Sequence, residues 1–389
     1  MNESFYSRLD PASKYLLLCC FFIFTLNGLY AMVLGSLLPL ISAEYGLSNT
    51  QSGALLSAHH TGNLAAGFLA GILPLYLGRK KALIFLCMFV VLGFVIVVVT
   101  GNPVWLIIGF LFIGISRGSI SNFNNAIVNE VSGGSTSALN FLHSTFAVGA
   151  LVAPFIVIWS TNAAGDEGWK IAALIIAGLV LAANLLFLRA DFSGLSQAAR
   201  KAKMSYGFLK NTRLWVNVGI LFFYLCVEAT VNGWIVTYFV NEGIMSREFA
   251  QTLAALLWAV ILVGRLSIVF VGDRISKKKI LAAAAAGTAV FYIMLLATEN
   301  VAVITLAIIG LGFSTAGIYP TVIANVSKTI RDYPQSLGVL LLISGLGAIV
   351  MPLITGALSD RFGIFAGMSA VVAAIGLMIV LVVADIRKA

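Results

Sequence analysis

Charged side chains are scarce in this sequence of 389 residues. Asp, Glu, Lys and Arg together make up 10% of it, against about 25% in an ordinary soluble domain. Hydrophobic residues make up 60%, and the mean hydropathy is +1.02. A soluble fold of this size could not cover its surface with so few charges. The composition therefore excludes a soluble enzyme, a disordered chain and a secreted disulfide scaffold, and predicts a protein that crosses a membrane many times.

Cysteine and histidine are rare as well, with four and three copies. All four cysteines lie inside apolar runs, which argues against a disulfide framework. The histidines lack metal-ligand spacing and the chain has no phosphate-binding loop, so we expect no metal, no cofactor and no ATP drive. Basic clusters without loop aromatics argue against nucleic-acid binding. No catalytic constellation is present, so the sequence predicts that the protein is not an enzyme.

Long apolar runs dominate the rest of the chain. A spanning helix needs about 20 mostly apolar residues, and the segment 190–212 is the one long junction between such runs. We predict an all-α integral membrane fold with twelve transmembrane helices in two six-helix bundles, 1–189 and 213–389, joined by a cytoplasmic linker at 190–212. The predicted spans are 15–41, 51–77, 82–100, 103–131, 136–160, 169–189, 213–240, 248–272, 279–297, 300–327, 335–358 and 363–385.

Positive charge indicates the orientation. With the N-terminus inside, 19 of the 24 Lys and Arg residues fall in predicted cytoplasmic segments, and three lie on the opposite side. Cytoplasmic loops carry such an excess. We therefore expect a multi-pass protein of the inner (plasma) membrane with both termini cytoplasmic. The remaining two, Arg117 and Arg265, lie inside spans.

The two halves also resemble each other. The stretch 112–131 in span 4 aligns with 308–327 in span 10 at an offset of 196, and 146–156 in span 5 aligns with 344–354 in span 11 at an offset of 198. Parallel six-helix repeats are typical of secondary transporters.

With twelve spans, a long central junction and this repeat, the chain resembles the major facilitator superfamily over nearly its full length. The family has a basic turn after helices 2 and 8, in which a Gly, an Asp and a second Gly precede basic residues. The resemblance implies a central cavity lined by helices 1, 4, 7 and 10, and a gating role for the basic turns. The matching residues at the end of span 8 and in the turn that follows are Gly264, Arg265, Gly272, Asp273, Arg274 and Lys277 to Lys279. Those at the end of span 2 and in the turn that follows are Gly71, Gly78, Arg79, Lys80 and Lys81. The gating role is expected for Arg79, Lys80, Asp273 and Arg274.

The sequence departs from the family in two places. Leu75 or Tyr76 stands near the position of the family's Asp in helices 2–3, so we expect the charge lock of the N-terminal half to be weaker. The stretches 139–154 and 227–239 are similar to the fucose:proton symporter-type sugar transporters. The proton-carrying acids of that group would fall near Gly35 and Arg117, so its coupling residues cannot be carried over.

Span 4 supplies the first candidate site residues. A charge inside a membrane costs at least ~2.5–3.5 kcal/mol, so it marks a functional position. Arg117, Asn124 and Asn125 share one broad helical face. Arg117 is either a substrate anchor or a counter-charge; the alternative is that it snorkels to the surface or holds helices together.

Span 7 carries Glu228, the only acid well inside a span, with Asn232 one turn later on the same face. A membrane-embedded carboxyl group can take up and release protons. We therefore expect Glu228 to carry the coupled proton with Arg117 as its counter-charge, the alternative being a static Glu–Arg clamp. Trp234 and Trp258 either stack on a sugar ring or pack in the core.

Spans 1, 2 and 5 add further polar candidates. Histidine titrates near physiological pH and can relay protons, although a packing role is equally compatible with the sequence. Only one of the adjacent His59 and His60 can face a cavity squarely. The candidates are Asn27, Tyr30, His60, Asn63 and His143.

These residues suit a neutral hydroxylated solute, because amides give paired hydrogen bonds and aromatic rings stack on sugars. We predict a secondary active transporter for a small polar solute, namely a sugar or a related hydroxylated compound. We expect protons to be the coupling ion and the protein to work as a monomer in the lipid bilayer. The alternatives are a proton-coupled exporter of drugs or amphipathic molecules, and an organic-anion carrier in which Arg117 grips a carboxylate.

Overall fold

The computed structural model describes residues 9–195, 207–271, 275–333 and 335–387. Within these ranges the chain is helical and has no β-strand. The helices are α1 Pro11–Tyr45, α2 Asn49–Leu77, α3 Arg79–Val99, α4 Pro103–Val131, α5 Thr136–Ala164, α6 Gly168–Arg189, α7 Thr212–Asn241, α8 Arg247–Val271, α9 Lys277–Leu296, α10 Val301–Thr315, α11 Ile318–Asn325, α12 Ser327–Asp332, α13 Gln335–Phe362 and α14 Ile364–Arg387. Short 3₁₀ turns at Gly165–Glu167 and Gly207–Lys210 precede α6 and α7.

Ten described segments are long and apolar enough to cross a membrane, and one of them, Ser137–Arg189, contains both α5 and α6. Helix α2 covers the remaining predicted span and carries the polar residues His59, His60 and Asn63. The prediction of an all-α integral membrane fold is confirmed.

Asparagine side chains begin several helices. Asn102, Asn211 and Asn300 each accept a hydrogen bond from the backbone N–H two residues later, at 3.0 Å in every case. This N-cap contact satisfies an N–H group that has no partner inside the helix. Pro103 follows Asn102 as the first residue of α4, where its missing N–H has no cost.

Predicted span 10 is broken, which differs from the single helix expected over 300–327. Helix α10 ends at Thr315 and α11 begins at Ile318. The physical reason is Pro320, which has no N–H to donate to the carbonyl of Ala316 and whose ring clashes with that carbonyl. The equivalent helix of the first half has Asn122 at the matching position, and α4 runs unbroken from Pro103 to Val131.

The contacts divide the chain into two units. Unit 1 contains α1, the part of α2 from Ala58 onward, and α3 to α6. Unit 2 contains 46–57, which includes the beginning of α2, and α7 to α14. The first turn of α2 is held within unit 2, because the two Asp360 carboxylate oxygens accept from the N–H groups of Asn49 and Thr50 at 2.8 Å each.

In each unit, a glycine at an equivalent position allows two helices to pack closely. In unit 1, a methyl group on Gly149 of α5 would overlap the Thr25 carbonyl of α1. In unit 2, a methyl group on Gly347 of α13 would overlap the Phe222 carbonyl of α7. The glycines are 198 positions apart and their partners 197, so the internal repeat predicted for these helices is present in the packing.

The packing revises the repeat offset for the fourth helix of each half. Gly114 of α4 lies against the His59 carbonyl of α2, and Gly312 of α10 lies against the Leu257 carbonyl of α8. Both pairs are 198 positions apart. The predicted offset of 196 paired Gly114 with Gly310, whose nearest neighbour is instead the ring of Phe291. Glycines are frequent in apolar sequence, so a shift of two positions left the alignment almost equally good.

Lysine caps follow the same offset. Lys80 of α3 donates to the carbonyls of Leu188 and Ala190 at 2.7 and 2.9 Å, and so caps the end of α6. Lys278 of α9, 198 positions later, donates to the Ile386 carbonyl at 3.2 Å at the end of α14. A cation at this place satisfies terminal carbonyls and opposes the negative end of the helix dipole.

Candidate functional site

Two close backbone contacts bring α2 against α4 in unit 1. A methyl group on Gly114 would overlap the His59 carbonyl, and one on Gly118 would overlap the Asn63 carbonyl. Only glycine permits such an approach without displacing α2. Arg117 lies between these glycines along α4, so the same contacts place its side chain beside the histidines of α2.

The side chains around Arg117 form what we call the Arg117 cluster: Asn27 and Tyr30 of α1, His59 and His60 of α2, and Arg117 and Ser121 of α4. The Arg117 Nη1 lies 3.4 Å from His59 Nε2. The Asn27 amide donates to the Arg117 carbonyl and the Ser121 hydroxyl, also at 3.4 Å. At this length the hydrogen bonds are weak, so the groups are close without being tightly bonded to one another.

Polar atoms of this region are buried without a hydrogen-bond partner in the described part of the chain. They include Asn27 Oδ1, Tyr30 Oη, His59 Nδ1 and Asn124 Oδ1. Asn27 and Asn124 are fully buried, and His59 is 2% exposed. A buried polar atom without a partner costs about 1–3 kcal/mol, and each such atom in a native protein calls for a water or a ligand to explain it.

The two histidines differ in their surroundings. His59 is buried and contacts Arg117, whereas His60 is half-buried and packs edge-on against His59 at 5.4 Å between ring centroids. The sequence selected His60 as the candidate; the structure puts His59 closer to the guanidinium.

The remaining candidates of unit 1 make other contacts. The Asn124 and Asn125 amides donate back to backbone carbonyls of α4, those of Ile120 and Ser121, at 2.7 and 2.8 Å. Asn63 is half-buried on α2. His143 is exposed on α5 and packs edge-on against Phe24 at 5.6 Å.

Unit 2 contains a second polar group of side chains. Glu228 is half-buried on α7, and the buried phenol of Tyr224, one turn earlier, interacts electrostatically with its carboxylate. Asn232, one turn later, accepts from Trp258 Nε1 of α8 at 3.2 Å. Trp234 is fully buried, so its ring packs inside the protein.

Sequence reasoning missed two residues near Glu228. Arg265 of α8 and Tyr319 of α11 both lie within electrostatic reach of the Glu228 neighbourhood. The sequence does indicate Arg265 as a candidate, because it is the second Arg inside a predicted span. Its match to the family motif at helix 8 hides this role. Tyr319 had none beyond its place directly before Pro320.

The predicted gating residues are placed in part. Arg79 forms an ion pair with Glu130 at 2.7 Å, joining the start of α3 to the end of α4. Lys80 caps α6 as described above. Asp273 and Arg274 lie outside the described residues.

A further buried acid joins helix ends in unit 2. The Asp385 carboxylate of α14 accepts from Asn217 of α7 at 3.2 Å and from Asn325 of α11 at 2.9 Å. Asp385 is 5% exposed, and Arg213 Nε of α7 lies 3.9 Å from the same carboxylate. These contacts hold α7, α11 and α14 together. Across 9–195, 207–271, 275–333 and 335–387, no three His, Cys, Asp or Glu side chains gather closely enough to hold a metal ion.

Comparison with known protein families decides the identity of the fold. The profile described as Major Facilitator Superfamily matches residues 20–268 and 220–388. The chain belongs to the major facilitator superfamily. Members of this family and fold are transporters, and the present chain is a multi-pass membrane protein of that kind.

Two sequence relatives span most of the chain. A TsgA homolog of Edwardsiella ictaluri is 24% identical over 359 residues, covering 90% of this chain and 89% of its own. A gallate transporter of Pseudomonas putida is 25% identical over 395 residues, covering 88% of this chain and 84% of its own.

Two solved structures share the fold. A D-xylose-proton symporter superposes with a TM-score of 0.76 at 16% identity, covering 95% of this chain and 96% of its own. The transporter FucP in its outward conformation gives a TM-score of 0.63 at 20% identity, covering 95% and 98%. The resemblance to fucose-type transporters predicted from sequence is thereby supported at the level of the fold.

Proposed function

We propose that this protein is a secondary active transporter that moves a small polar solute, a sugar or a related hydroxylated compound, by proton-coupled alternating access. The observation that carries the proposal is the Arg117 cluster, in which buried polar atoms of α1 and α2 lack hydrogen-bond partners within the described chain. Hydroxyl groups of a solute can supply the missing hydrogen bonds. The D-xylose-proton symporter of the same fold supports this choice.

The positions of the candidate residues in the two units suggest a role for each of them. Asn27, Tyr30, His59, Asn124 and Arg117 would contact the solute in unit 1. In unit 2, Glu228 would carry the proton, because a carboxyl group inside the membrane can be neutralised and ionised in turn. Trp258 and Asn232 would border the solute, while Trp234 would support them from the core.

We further propose that the protein works as a monomer in the inner membrane with both termini cytoplasmic, and that 1–189 and 213–389 act as its two moving halves. The charge distribution between predicted loops supports the orientation.

An organic-anion carrier is the second candidate, and the contact between Arg117 and His59 favours it. A guanidinium recognises a carboxylate through two parallel hydrogen bonds, and a gallate transporter is among the relatives. In this case the solute would carry hydroxyl groups and one carboxylate.

The test begins with purified protein and a thermal-shift screen against neutral sugars, hydroxylated carboxylic acids, peptides and drugs, followed by counterflow in proteoliposomes with every hit. Arg117→Gln separates the two candidates. A neutral solute should keep most of its affinity in this variant, and a carboxylate should lose at least tenfold. Hits confined to bulky amphipathic drugs would contradict both.

A further inference from the structure

Glu228 has a charged neighbour inside its own unit. The phenol of Tyr224 on α7 lies within electrostatic reach of both Glu228 and Arg265, and so does the phenol of Tyr319 on α11. The acid and the guanidinium therefore share two tyrosine neighbours. Tyr224 also lies one turn before Glu228, on the same face of α7.

The register of α7 and α8 places Arg265 at the level of this acid. The two helices are consecutive, contact each other and are joined by the short segment 242–246, so they run antiparallel. The 3.2 Å hydrogen bond between Trp258 and Asn232 marks one level. Glu228 is four residues before Asn232, which is about 6 Å along the axis of α7. Arg265 is seven residues after Trp258, which is about 10.5 Å along the axis of α8. Because the helices are antiparallel, both displacements point the same way. The remaining offset of about 4.5 Å along the axes is within reach of an arginine side chain.

Among the described residues of the unit 2 helices that pack against α7, Arg265 is the cation nearest to the level of Glu228 along the helix axes. Tyr319 is the titratable residue that α11 contributes. On α13 and α14, which also pack against α7, the titratable residues lie in the last turns: Asp360, Arg361, Asp385 and Arg387. On α8, Arg247 and Glu248 lie at the far end of the helix. The Arg265 Nε is buried and has no hydrogen-bond partner among the described residues.

We infer that Glu228, Arg265, Tyr224 and Tyr319 form a proton-binding site built entirely from unit 2, with Arg265 as the counter-charge of Glu228. The inference rests on the proposed function and replaces Arg117 with Arg265 as the partner of the acid. When Glu228 is ionised, its charge is compensated by Arg265 and its oxygens accept from the phenols. When it takes up a proton, the pair carries one net positive charge. In this arrangement Arg117 belongs to the solute site of unit 1.

A double-mutant cycle on the full-length protein in detergent tests the pairing without any transport assay. The variants are Glu228→Gln, Arg265→Gln and the double variant, with Arg117→Gln alone and combined with Glu228→Gln as the matched control. Removing one member of a buried pair leaves an uncompensated charge. Each single variant of the pair should therefore lower the melting temperature by several degrees, and the double variant should regain at least half of the loss.

The control cycle should be additive, because independent sites add. If Arg117→Gln restored the Glu228→Gln variant while Arg265→Gln did not, the inference would be overturned. A single variant that yields no folded protein, beside a double variant that does, counts as coupling. Because no solute is needed, these outcomes do not depend on whether the proposed transport function is right.

A second readout separates a proton site from a merely structural pair. The Glu228→Gln/Arg265→Gln variant should keep counterflow of the solute within about threefold of the parent and lose accumulation driven by a pH gradient. The Arg265→Lys variant, which keeps the charge, should retain both. Accumulation at the parent level in the double variant would show that the pair only stabilises the fold.

Discussion

Glycine at position 114 brings the backbone of α2 against α4, and this approach sets the distance between His59 and Arg117. A side chain there must displace α2. The polar contacts of the Arg117 cluster therefore depend on a residue that has no side chain of its own. At the residue scale, the site is determined as much by what is missing at Gly114 and Gly118 as by the polar groups.

Replacing Gly114 with Ala should destabilise the protein by about 1–3 kcal/mol, the usual effect of overpacking a tight interface, and should weaken solute binding by moving His59. Gly71→Ala on α2 is the matched control, because its methyl group would meet no atom within 4 Å. The control should be neutral or slightly stabilising, since Ala favours helix. Thermal unfolding of both variants in detergent measures the difference; equal melting temperatures would refute the role given to this contact.

At the scale of helices, the repeated lysine caps join the third helix of each half to the sixth. Lys80→Met and Lys278→Met should each lower stability by about 0.5–1 kcal/mol, because each removes a cation from a helix C-terminus. Lys81→Met, at the next position and exposed, should have no effect. The measurement is the melting temperature of the three variants. A larger loss of transport than of stability in Lys80→Met would favour the predicted gating role instead.

The positions of the helices could be predicted from apolar runs, because about 20 such residues are needed to cross a membrane wherever they occur. The break at 316–317 had a visible signal in Pro320 that the length of the apolar run concealed. The partner of Glu228 could not be predicted. The spacing of four residues along α7 places Tyr224 and Asn232 on the same helix face as Glu228. The position of Arg265 relative to Glu228 depends on the register between α7 and α8. That register is seen only in the structure, where the hydrogen bond between Trp258 and Asn232 marks one shared level.

At the scale of the whole molecule, the predicted orientation puts the central linker inside the cell. A cysteine introduced at position 200 should react with a membrane-impermeant maleimide only after the membrane is opened. The native cysteines are buried, so background labelling should be low. Labelling of intact cells would reverse the orientation, and with it the sidedness of every loop.

The basic turn after helix 8 is predicted to take part in gating. Asp273→Asn should slow turnover more than it weakens solute binding, because the acid is expected to stabilise one conformation and not to contact the solute. Turnover in counterflow and affinity by thermal shift give the two quantities. Unchanged turnover would remove Asp273 from the gating mechanism.

Proton coupling through Glu228 can be tested by comparing the parent protein with Glu228→Gln. Parent protein and Glu228→Gln are reconstituted side by side, and solute accumulation driven by a pH gradient is measured together with counterflow. Gln keeps the shape and the hydrogen bonding of the acid but cannot release a proton. Glu228→Gln should lose accumulation and keep counterflow, because exchange of solute for solute needs no net proton movement. Accumulation at the parent rate in Glu228→Gln would contradict it and shift the proton to His59, His60 or His143.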